Sequence, residues 1–298
     1  MEDFQSYRPL LFSIAYRMLG RASEAEDIVQ DAYLRYSSAS LEEVRSVKSY
    51  LSTIVTHLCL DHLKSAQVER ENYVGLWLPE PLLTSTNNLS SIVGNSLEER
   101  ESLSVAFLAL LERLTPQERA VFLLHEVFDY DYKEISEILD KNEASCRQLF
   151  HRAKARIDEH RPRFEPSRET QERLMVGFLA ACQEGDLEML TSLLKEDVVI
   201  WADSGGKATA ARRPILGRDF VMRFYLGLVK KAIFSKENFY VTCEEINGLP
   251  AILTWSREKL LTITSFEISD EQIQNIYTIA NPDKIAYLRQ QLQQSFQY

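Results

Sequence analysis

Apolar residues recur at helical spacing through the first part of the chain. Between Phe4 and Met18 they fall every three or four positions, and Gly20 is a typical helix stop. A second helix is predicted to begin at Ser23, because Glu26 three residues later would complete a capping box. A third helix has one apolar stripe, formed by Val47, Leu51, Ile54, Val55 and Leu58. The pattern predicts a small helical bundle.

Helical periodicity resumes near Leu97 and leads into a sharply bounded pair of helices. The segment "LTPQERAVFLLHEVF" has Thr115 as N-cap, Pro116 at the first helical position and Glu118 to complete a capping box. In the following segment, "YKEISEILDKNEASCRQLFHRAKARI", two apolar stripes flank a polar turn at positions 140–142. This pattern is typical of a helix-turn-helix.

The second helix of that pair packs along its apolar stripe and exposes a polar face. The face is formed by Arg147, Gln148, His151, Arg152, Lys154 and Arg156. Arg can pair with guanine and Gln with adenine through two hydrogen bonds in the major groove, so this face is a candidate for DNA binding. On periodicity alone, the alternative is a solvated basic helix at a domain edge.

A long connector, residues 67–96, separates the two helical regions. It contains "YVGLWLPEPLL", from Tyr73 to Leu83, which is unusually apolar for a loop, and then a polar stretch, "TSTNNLSS". Pro79 and Pro81 favour an extended backbone. We expect this segment to dock against another surface. The alternative is that its apolar side chains pack only on the helices that flank the connector.

The chain changes character after the proline-containing segment "RPRFEPSRE", Arg161 to Glu169. Two predicted helices, at 169–183 and 187–194, precede the predicted strand "DVVIWADS", and another helix follows at 219–232. Four alternating segments then follow, "FYVTCEEI", "AILTWSR", "LLTITSFEI" and "IQNIYTIA", separated by turn signals such as Asn247-Gly248. Helices followed by an antiparallel meander predict an α+β domain.

Composition limits the classes of protein that these elements can form. A length of 298 residues indicates two or three domains, and 45% hydrophobic residues are enough for their cores. Four scattered cysteines do not form a disulfide framework, and the absence of a cationic leader or a membrane-length apolar run predicts a cytoplasmic location. The net charge of -10 argues against a protein that coats nucleic acid by charge alone. DNA binding therefore has to come from a local basic face.

Several motifs, taken in order, resemble bacterial sigma factors of the extracytoplasmic-function (ECF) type. Over roughly the first 160 residues the resemblance rests on "AEDIVQDAYLRY", "VKSYLSTIVTHLCLDHLKSA", "LTPQERAVFLLHEVFDYDYKEISEIL" and "RQLFHRAKARI". Three further motifs are similar to the SigJ-like subgroup, which adds a C-terminal SnoaL-like domain of the NTF2-like fold: "WLPEPL" in the connector, "DSGGK" at Asp203 to Lys207, and "NPDK" at Asn281 to Lys284.

The resemblance implies a multi-domain protein with two all-α sigma domains, the second with a helix-turn-helix, and a C-terminal α+β NTF2-like cone. The expected domains are sigma region 2 at residues 1–66, the linker with the "WLPEPL" motif at 67–96, sigma region 4 at 97–162 and the SnoaL-like domain at 167–298.

The resemblance also implies roles for individual residues. The second helix would bind the clamp of core RNA polymerase through Asp27, Gln30 and Asp31. The third helix would bind the −10 element through Lys48, Thr56, His57, Asp61, His62 and Lys64. Many family members have Arg-Asn where this chain has Thr56-His57. The helix-turn-helix would contact −35 base edges with Arg147, Gln148, His151 and Arg152, and phosphates with Lys154 and Arg156.

The linker is expected to dock on the C-terminal domain in the free protein and to follow a channel of the core enzyme, as sigma linkers do, in the complex. The residues expected at the docked contact are Trp77, Leu78, Pro79, Glu80 and Pro81 from the linker, and Asp203, Gly205, Gly206, Lys207, Asn281, Pro282, Asp283 and Lys284 from the domain.

Three smaller features have alternative interpretations. His57, Cys59 and His62 are a compact group on one helix, but zinc normally needs four ligands and no fourth is evident. Six residues of the C-terminal region could line a pocket with a catalytic carboxylate or could simply fill a core: Trp201, Asp203, Tyr225, Tyr240, Trp255 and Tyr277. A basic run follows the first strand and is formed by Lys207, Arg212, Arg213 and Arg218. It could be a solvated loop, or it could contact an acidic surface or nucleic acid.

The sequence therefore predicts a sigma factor that directs core RNA polymerase, bound at its clamp and flap, to specific promoters. It is expected not to be an enzyme and to need no cofactor, metal or membrane. Its activity is expected to be modulated by the C-terminal domain, where a small molecule or a regulatory protein is a candidate partner. The alternatives are a one-component DNA-binding regulator with a small-molecule pocket and a SnoaL-type enzyme fused to a DNA-binding module.

Overall fold

The structure is a computed structural model that describes residues 4–39, 44, 46–71, 73–85, 100–159, 166–208, 210–234 and 238–295. The polar part of the predicted linker, from residue 86 to residue 96, and the predicted domain boundary between residues 160 and 165 lie outside the described residues.

The described residues form two compact units. Unit 1 draws its residues from Met1–Asn72, Asn87–Leu103 and Phe107–Arg161, and unit 2 from Tyr73–Thr86, Ser104–Ala106 and Pro162–Tyr298. Both predicted helical domains thus contribute to unit 1, whereas the apolar linker segment belongs to unit 2 with the C-terminal domain.

The regular secondary structure in the described residues of unit 1 is helical. Its first helices are α1 (Phe4–Leu19), α2 (Ala22–Ser38) and α3 (Val47–Glu71). The later elements are α4 (Val105–Leu111, which begins in unit 2), α5 (Pro116–Phe122), a π-helical turn (Leu123–Val127), α6 (Tyr132–Leu139) and α7 (Glu143–Asp158). The predicted three-helix bundle and the predicted helix pair are both present.

The two predicted capping boxes have different outcomes. At α5 the prediction is confirmed, because the Thr115 hydroxyl accepts the Glu118 N–H and the Glu118 carboxylate accepts the Thr115 N–H. At Ser23 the prediction is wrong, because α2 begins at Ala22 and no side chain caps it. Gly20, at φ 69°, ends α1 only two positions earlier, so the chain enters α2 before Ser23 reaches the N-cap position.

Unit 2 contains one six-stranded sheet with strand order β2-β1-β6-β5-β4-β3. The strands are β1 (Leu194–Asp203), β2 (Ile215–Leu216), β3 (Phe239–Ile246), β4 (Leu249–Ser256), β5 (Lys259–Ser269) and β6 (Gln272–Ile279). β3 to β6 form the predicted antiparallel meander, and β1 joins β6 in parallel.

Four helices accompany the sheet in the described part of unit 2: α8 (Arg168–Glu184), α9 (Leu187–Leu193), α10 (Arg218–Phe234) and α11 (Pro282–Ser295). α8 and α10 bury apolar side chains against one face of the sheet, where Phe178 lies edge-to-face with both Tyr225 and Phe266 at centroid distances of 4.9 and 5.4 Å. The predicted fold class, helical domains followed by an α+β domain, is confirmed.

Candidate nucleic-acid interface and linker site

The helix-turn-helix is formed by α6 and α7, and polar side chains fix both of its helix starts. Asp131 caps α6 in a capping box with Glu134, and Asn142 caps α7 by accepting the Ser145 N–H at 2.8 Å. Asp140, in the left-handed conformation at φ 50°, ends α6. These caps place the recognition helix α7 at a defined angle after the turn.

Three of the residues predicted to contact base edges are available on the surface of α7. Gln148, His151 and Arg152 are exposed. Within the described ranges, no hydrogen bond or ion pair involves the side chains of these three residues. They lie along one face of the helix, because positions 148, 151 and 152 are three and four residues apart.

Arg147 is also exposed, but it is held in place on two sides. Its guanidinium contacts the Glu143 carboxylate at 3.1 Å, and its Cζ lies 4.4 Å from the ring centroid of Tyr132 on α6. Tyr132 is in turn part of an aromatic cluster with His125 and Phe150. The Arg147 side chain is therefore supported from the first helix of the helix-turn-helix.

The two residues predicted to contact phosphates have partners within unit 1. Lys154 Nζ lies 3.1 Å from a carboxylate oxygen of Glu126, and Arg156 lies 2.5 Å from a carboxylate oxygen of Glu118. The Glu118 side chain is buried, so the pair with Arg156 compensates for the burial of a charge. Arg156 therefore has a structural role in unit 1.

The residues predicted to contact the −10 element lie on α3, where Thr56 is buried and the exposed His57 contacts α6. Thr56 is fully buried, and its hydroxyl has no hydrogen-bond partner among the described residues. Nε2 of His57 lies 2.7 Å from the carbonyl oxygen of Ile138 on α6. In this conformation Thr56 is inaccessible to DNA, and His57 is engaged by the helix-turn-helix.

The other α3 residues are at the surface of the helix. Lys48 lies 4.9 Å from the ring centroid of Tyr130, and Asp61 and Lys64 form an exposed ion pair with each other at 2.9 Å. The neighbouring lysine lowers the pKa of the Asp61 carboxyl. His62 lies 3.0 Å from the Glu24 carboxylate on α2. Two lysines are therefore exposed on α3, Lys48 near its N-terminus and Lys64 in its C-terminal half.

Unit 1 joins the two helical domains through buried polar contacts that the sequence analysis missed. Ser52 on α3 and Tyr130, between the π-helical turn and α6, are both buried, and their hydroxyl groups lie 2.7 Å apart. Arg119 on α5 donates to the carbonyl oxygen of Met18 at 2.6 Å. Arg17 on α1 donates to Ser102 at 3.0 and 3.2 Å. These bonds tie α1 and α3 to the second domain.

The residues predicted to bind core polymerase lie on one exposed face of α2. Asp27, Gln30 and Asp31 are all exposed, and Leu34, one turn further along, is 63% exposed. Ile28, Val29 and Ala32 face the bundle core instead. The face that the resemblance assigns to core polymerase is therefore accessible in unit 1.

In unit 2 the linker segment is bound around Asp203, in an arrangement that we call the linker clamp: Tyr73, Trp77, Leu78, Asp203, Asn281 and Lys284. One Asp203 carboxylate oxygen accepts the Tyr73 hydroxyl at 2.6 Å. The other accepts the Leu78 N–H at 2.8 Å and Lys284 Nζ at 2.7 Å. The side chains of Asp203 and Lys284 are 0% and 3% exposed, so the charges neutralise each other inside the domain.

Lys284 completes the clamp from α11. Its ammonium group also donates to the Leu78 carbonyl oxygen, and it lies 4.1 Å from the Trp77 ring centroid and 4.9 Å from that of Tyr73. Asn281 donates to the Tyr73 hydroxyl at 2.7 Å. The cation therefore lies between the linker on one side and Asp203 on the other.

The glycines of the "DSGGK" motif allow the linker to approach. Gly205 and Gly206 have φ angles of 55° and 72°. A side chain on Gly205 would meet Asn281 Nδ2 at 2.5 Å and the Tyr73 hydroxyl at 3.1 Å, and one on Gly206 would meet Val74 at 3.2 Å. Lys207, the last residue of the motif, is exposed and pairs with Asp283.

The following linker residues pair with the β3–β4 turn. Leu82 and Asn247 exchange bonds, with Leu82 N–H donating to the Asn247 side chain at 2.9 Å and Asn247 N–H to the Leu82 carbonyl oxygen at 2.8 Å. Thr84 N–H donates to the Glu245 carbonyl oxygen at 2.9 Å. On α11, the Gln291 side chain accepts the Leu83 N–H at 2.9 Å. The linker thus extends the edge of the sheet beside β3.

The remaining predicted contact residues of the linker are also enclosed. Pro79, Glu80 and Pro81 are buried together with Leu82 and Leu83. Prolines suit this position because they have no N–H group that would need a partner. On the domain side, Pro282 and Asp283 are exposed at the start of α11.

The six residues considered for an enzymatic pocket do not share one site. Tyr225 packs in the helix-covered core, and burial raises the pKa of its hydroxyl. Trp201 and Tyr277 face the other side of the sheet, where Trp201 bonds Asn275 and Tyr277 bonds Glu267, each at 2.8 Å. Tyr240 and Trp255 stack on each other, and Asp203 is in the clamp. The sheet separates Tyr225 from Trp201 and Tyr277, so the six side chains do not line one common pocket.

The metal and basic-run alternatives also have structural outcomes. Cys59 is fully buried, burial raises the pKa of its thiol, and no metal-binding group of three His, Cys, Asp or Glu side chains occurs among the described residues. In the basic run, Arg212 and Arg213 are exposed. Across the described ranges, no helix is long and apolar enough to cross a membrane.

Comparison with known families identifies the two helical regions. Residues 4–68 match Sigma-70 region 2, and residues 104–157 match Sigma-70, region 4. Over 95% of this chain and 92% of the relative, the sequence is 36% identical to the ECF RNA polymerase sigma factor SigJ of Mycobacterium tuberculosis. The chain belongs to the ECF RNA polymerase sigma factors.

Two further comparisons extend to the C-terminal domain of this sigma factor. The chain is 30% identical to the probable ECF RNA polymerase sigma factor SigI of the same species, over 97% of this chain and 96% of the relative. The crystal structure of Mycobacterium tuberculosis SigJ superposes with a TM-score of 0.77 at 33% identity, covering 95% of this chain and 97% of the other. The sigma factor thus directs RNA polymerase and carries an NTF2-like C-terminal domain.

The sequence analysis missed several residues that hold this sigma factor together. Tyr73 begins the quoted linker stretch, but its hydroxyl was not recognised as a partner of Asp203. Asn247 was assigned only to a turn, although its side chain also binds Leu82. An Asn at a tight turn with a free side-chain amide is a signal that could have indicated the second role. Ser52 and Tyr130 gave no such signal.

Proposed function

We propose that unit 1 shows a closed form of the sigma factor, in which region 4 covers the helix that contacts the −10 element. The observation that carries this proposal is the position of Thr56 and His57. Thr56 is completely buried on α3, and His57 is bonded to the carbonyl oxygen of Ile138 at the end of α6. Region 4 has to move away from α3 before DNA can replace this contact at His57.

The residues expected to read the −35 element remain accessible in the closed form. Gln148, His151 and Arg152 are exposed, and Arg147 is presented by Tyr132 and Glu143. We assign base contacts to these four residues. Each good bidentate contact supplies about 1 to 3 kcal/mol of discrimination between bases.

Lys154 and Arg156 have a weaker claim to phosphate contacts than the sequence suggested. Both are held by carboxylates of unit 1, from Glu126 and Glu118. A phosphate would have to compete with the buried Glu118 for Arg156. We therefore assign the phosphate role to Lys154 first, because its pair with Glu126 is partly exposed and weak in water.

The face of α2 is available for core polymerase in the closed form. Asp27, Gln30 and Asp31 are exposed beside Leu34. Core polymerase can therefore engage this face before region 4 separates from α3. This order is a population shift, in which the core enzyme binds the open form more tightly and so draws the equilibrium towards it.

The C-terminal domain is proposed to regulate this step by holding the linker. Residues 73–85 connect the two sigma domains along the chain, and the linker clamp binds them with a buried ion pair between Asp203 and Lys284. A linker that follows the core enzyme instead would have to leave the clamp. The stability of the clamp then sets part of the free energy needed for holoenzyme formation.

We infer that Asp203 acts in this clamp and not as a catalytic base. Both of its carboxylate oxygens are occupied, by Tyr73 and Gly205 on one side and by Leu78 and Lys284 on the other. A general base has to lie within reach of a substrate proton. With the linker bound, Asp203 is 0% exposed and meets no substrate.

The closed form is tested by weakening the contact between the two sigma domains without touching a proposed DNA contact. Tyr130→Phe removes the hydroxyl that bonds Ser52 and leaves a buried Ser52 hydroxyl unpaired. We expect stronger binding to core polymerase and more run-off transcript at limiting sigma factor. Tyr240→Phe, in unit 2, is the control. Equal affinity and transcription for Tyr130→Phe and wild type would contradict the closed form.

A further inference from the structure

A cleft in the C-terminal domain is not used by the linker clamp. It has a volume of about 710 Å³ and lies between the β4–β5 turn and α11. The turn contributes Arg257, Glu258 and Lys259, and α11 contributes Arg289 and Gln293. This volume is within the usual range for sites that bind small molecules.

The cleft is distinguished by its charge. Three cationic side chains, those of Arg257, Lys259 and Arg289, surround it, with Glu258 as the one carboxylate in its lining. In the described part of the chain, no ion pair involves any of the three cations. The whole chain has a net charge of -10, so a group of unpaired cations on its surface is unexpected.

The backbone of the turn supports the same interpretation. Arg257 adopts a left-handed conformation at φ 55°, which is uncommon for a residue with a long side chain. Ser256 and Lys259 are paired strand residues, so the turn between them has only two residues. Glycine or asparagine would form this turn with less strain. An arginine at this position adds a cationic residue to the lining of the cleft at a conformational cost.

We propose that the cleft binds a small anionic molecule with two or more negative charges, borne by phosphate or carboxylate groups. The two guanidinium groups would each bind an anionic oxygen pair, and Lys259 would add a third positive charge. Gln293 offers an amide that can donate to or accept from the rest of the ligand. Glu258 disfavours ligands whose charge extends to its side of the turn.

The cleft and the linker clamp share α11. Asn281 and Lys284 of this helix hold the linker at Asp203, Gln291 accepts the Leu83 N–H, and Arg289 faces the cleft. An anion that bridges Arg289 to the β4–β5 turn fastens α11 to the sheet. This regulatory consequence, but not the binding itself, rests on the proposed role of the clamp. The anion would stabilise the linker-bound form.

The binding site is tested by calorimetric titration of the full chain at low ionic strength with pyrophosphate and, separately, with citrate. These two probes distinguish phosphate from carboxylate ligands. The test variant carries both Arg257→Gln and Arg289→Gln. The control carries Arg212→Gln and Arg213→Gln, which remove two exposed cations from another loop and the same amount of charge.

We expect saturable one-to-one binding of at least one probe to wild type and to the control, weakened about tenfold or more in the test variant. Melting curves of both variants show whether the fold is intact. Absence of saturable binding for both probes, or equal weakening in test and control, would overturn the site. Since the titration contains no polymerase, its failure leaves the closed form untouched, and the Tyr130→Phe experiment does not affect the anion site.

Discussion

Nε2 of His57 lies 2.7 Å from the carbonyl oxygen of Ile138, which is 81 positions later in the sequence. His57 is on the helix expected to contact the −10 element, and Ile138 is on the first helix of the helix-turn-helix. This hydrogen bond is one of several that join the two promoter-binding domains. In the closed form that we propose, this contact has to break before both promoter elements are bound.

The buried hydroxyl of Thr56 makes the closed form less stable than it could be. It has no hydrogen-bond partner among the described residues, and an unpaired buried hydroxyl costs about 1 to 3 kcal/mol. Thr56→Val is therefore expected to raise the free energy of unfolding by about 1 kcal/mol, measured by urea denaturation. Thr53→Val is the control, because the Thr53 hydroxyl donates to Ser49 at 2.9 Å. Equal destabilisation by both changes would contradict the account.

Tyr132 is expected to contribute to promoter selectivity without touching DNA, because its ring supports Arg147 at 4.4 Å. A cation–π contact at an exposed site is worth about 0.5 to 1 kcal/mol. Tyr132→Leu should therefore reduce discrimination at one −35 base pair by roughly two- to fivefold. Tyr132→Phe retains the ring and should preserve selectivity. The measurement is competition between promoters that differ at single −35 positions, and an unchanged profile for Tyr132→Leu would exclude the supporting role.

Lys284 and Lys207 both contact an aspartate in unit 2, but they differ in burial and are expected to differ in effect. Lys284→Met leaves the Asp203 carboxylate buried without its cation, which should cost about 3 to 5 kcal/mol of stability. Lys207→Met removes an exposed pair with Asp283 and should change stability by less than about 1 kcal/mol. The readouts are urea denaturation and the rate of chymotryptic cleavage at Tyr73 and Trp77.

Faster cleavage in Lys284→Met, together with stronger binding to core polymerase, would show that the clamp opposes release of the linker. If Lys284→Met and Lys207→Met were cleaved at the same rate, the clamp would not hold the linker.

Glu267 predicts a pH dependence of stability for the C-terminal domain. Burial raises the pKa of its carboxyl, and hydrogen bonds from Tyr277 and Asn275 only partly oppose the shift. A carboxyl whose pKa is raised in the folded state favours folding below its unfolded value of about 4.5, and this contribution is lost as the pH rises through the folded pKa. Glu267→Gln should therefore have a higher melting temperature than wild type at pH 7.5.

The difference between Glu267→Gln and wild type should shrink as the pH falls towards 4.5. The measurement is a series of thermal melts between these two pH values. Glu244→Gln is a control at a more exposed carboxyl whose pKa is also raised by burial, and its effect should be smaller. A Glu267→Gln variant that was less stable than wild type at pH 7.5 would contradict the argument.

Local periodicity was enough to predict the helices, the meander and the helix-turn-helix. Apolar residues recur with a period of 3.6 in a helix such as α7 and with a period of 2 in a strand such as β5. The two patterns differ because side chains turn towards the core with the period of the element that carries them. The same reasoning places Trp201 and Asp203, two residues apart on β1, on one face of the sheet and Ile200 on the other, helix-covered face.

Long-range polar contacts were beyond sequence reasoning. The bond from Arg119 to Met18 spans 101 positions, and that from Arg17 to Ser102 spans 85. An arginine on an amphipathic helix has the same sequence pattern whether it is solvated or buried. The linker was more informative, because its apolar residues and prolines in a loop position required a surface to cover them.

The closed form is tested most directly by measuring the distance between the two sigma domains. Spin labels are placed at the exposed positions Ser37→Cys and Glu159→Cys, with the exposed Cys243 replaced by Ser. Double electron–electron resonance should give one narrow distribution of the distance between the two labels in the free chain. After addition of core RNA polymerase, the distance between the labels should be longer. A broad distribution in the free chain, or the same distance with and without the core enzyme, would contradict the account.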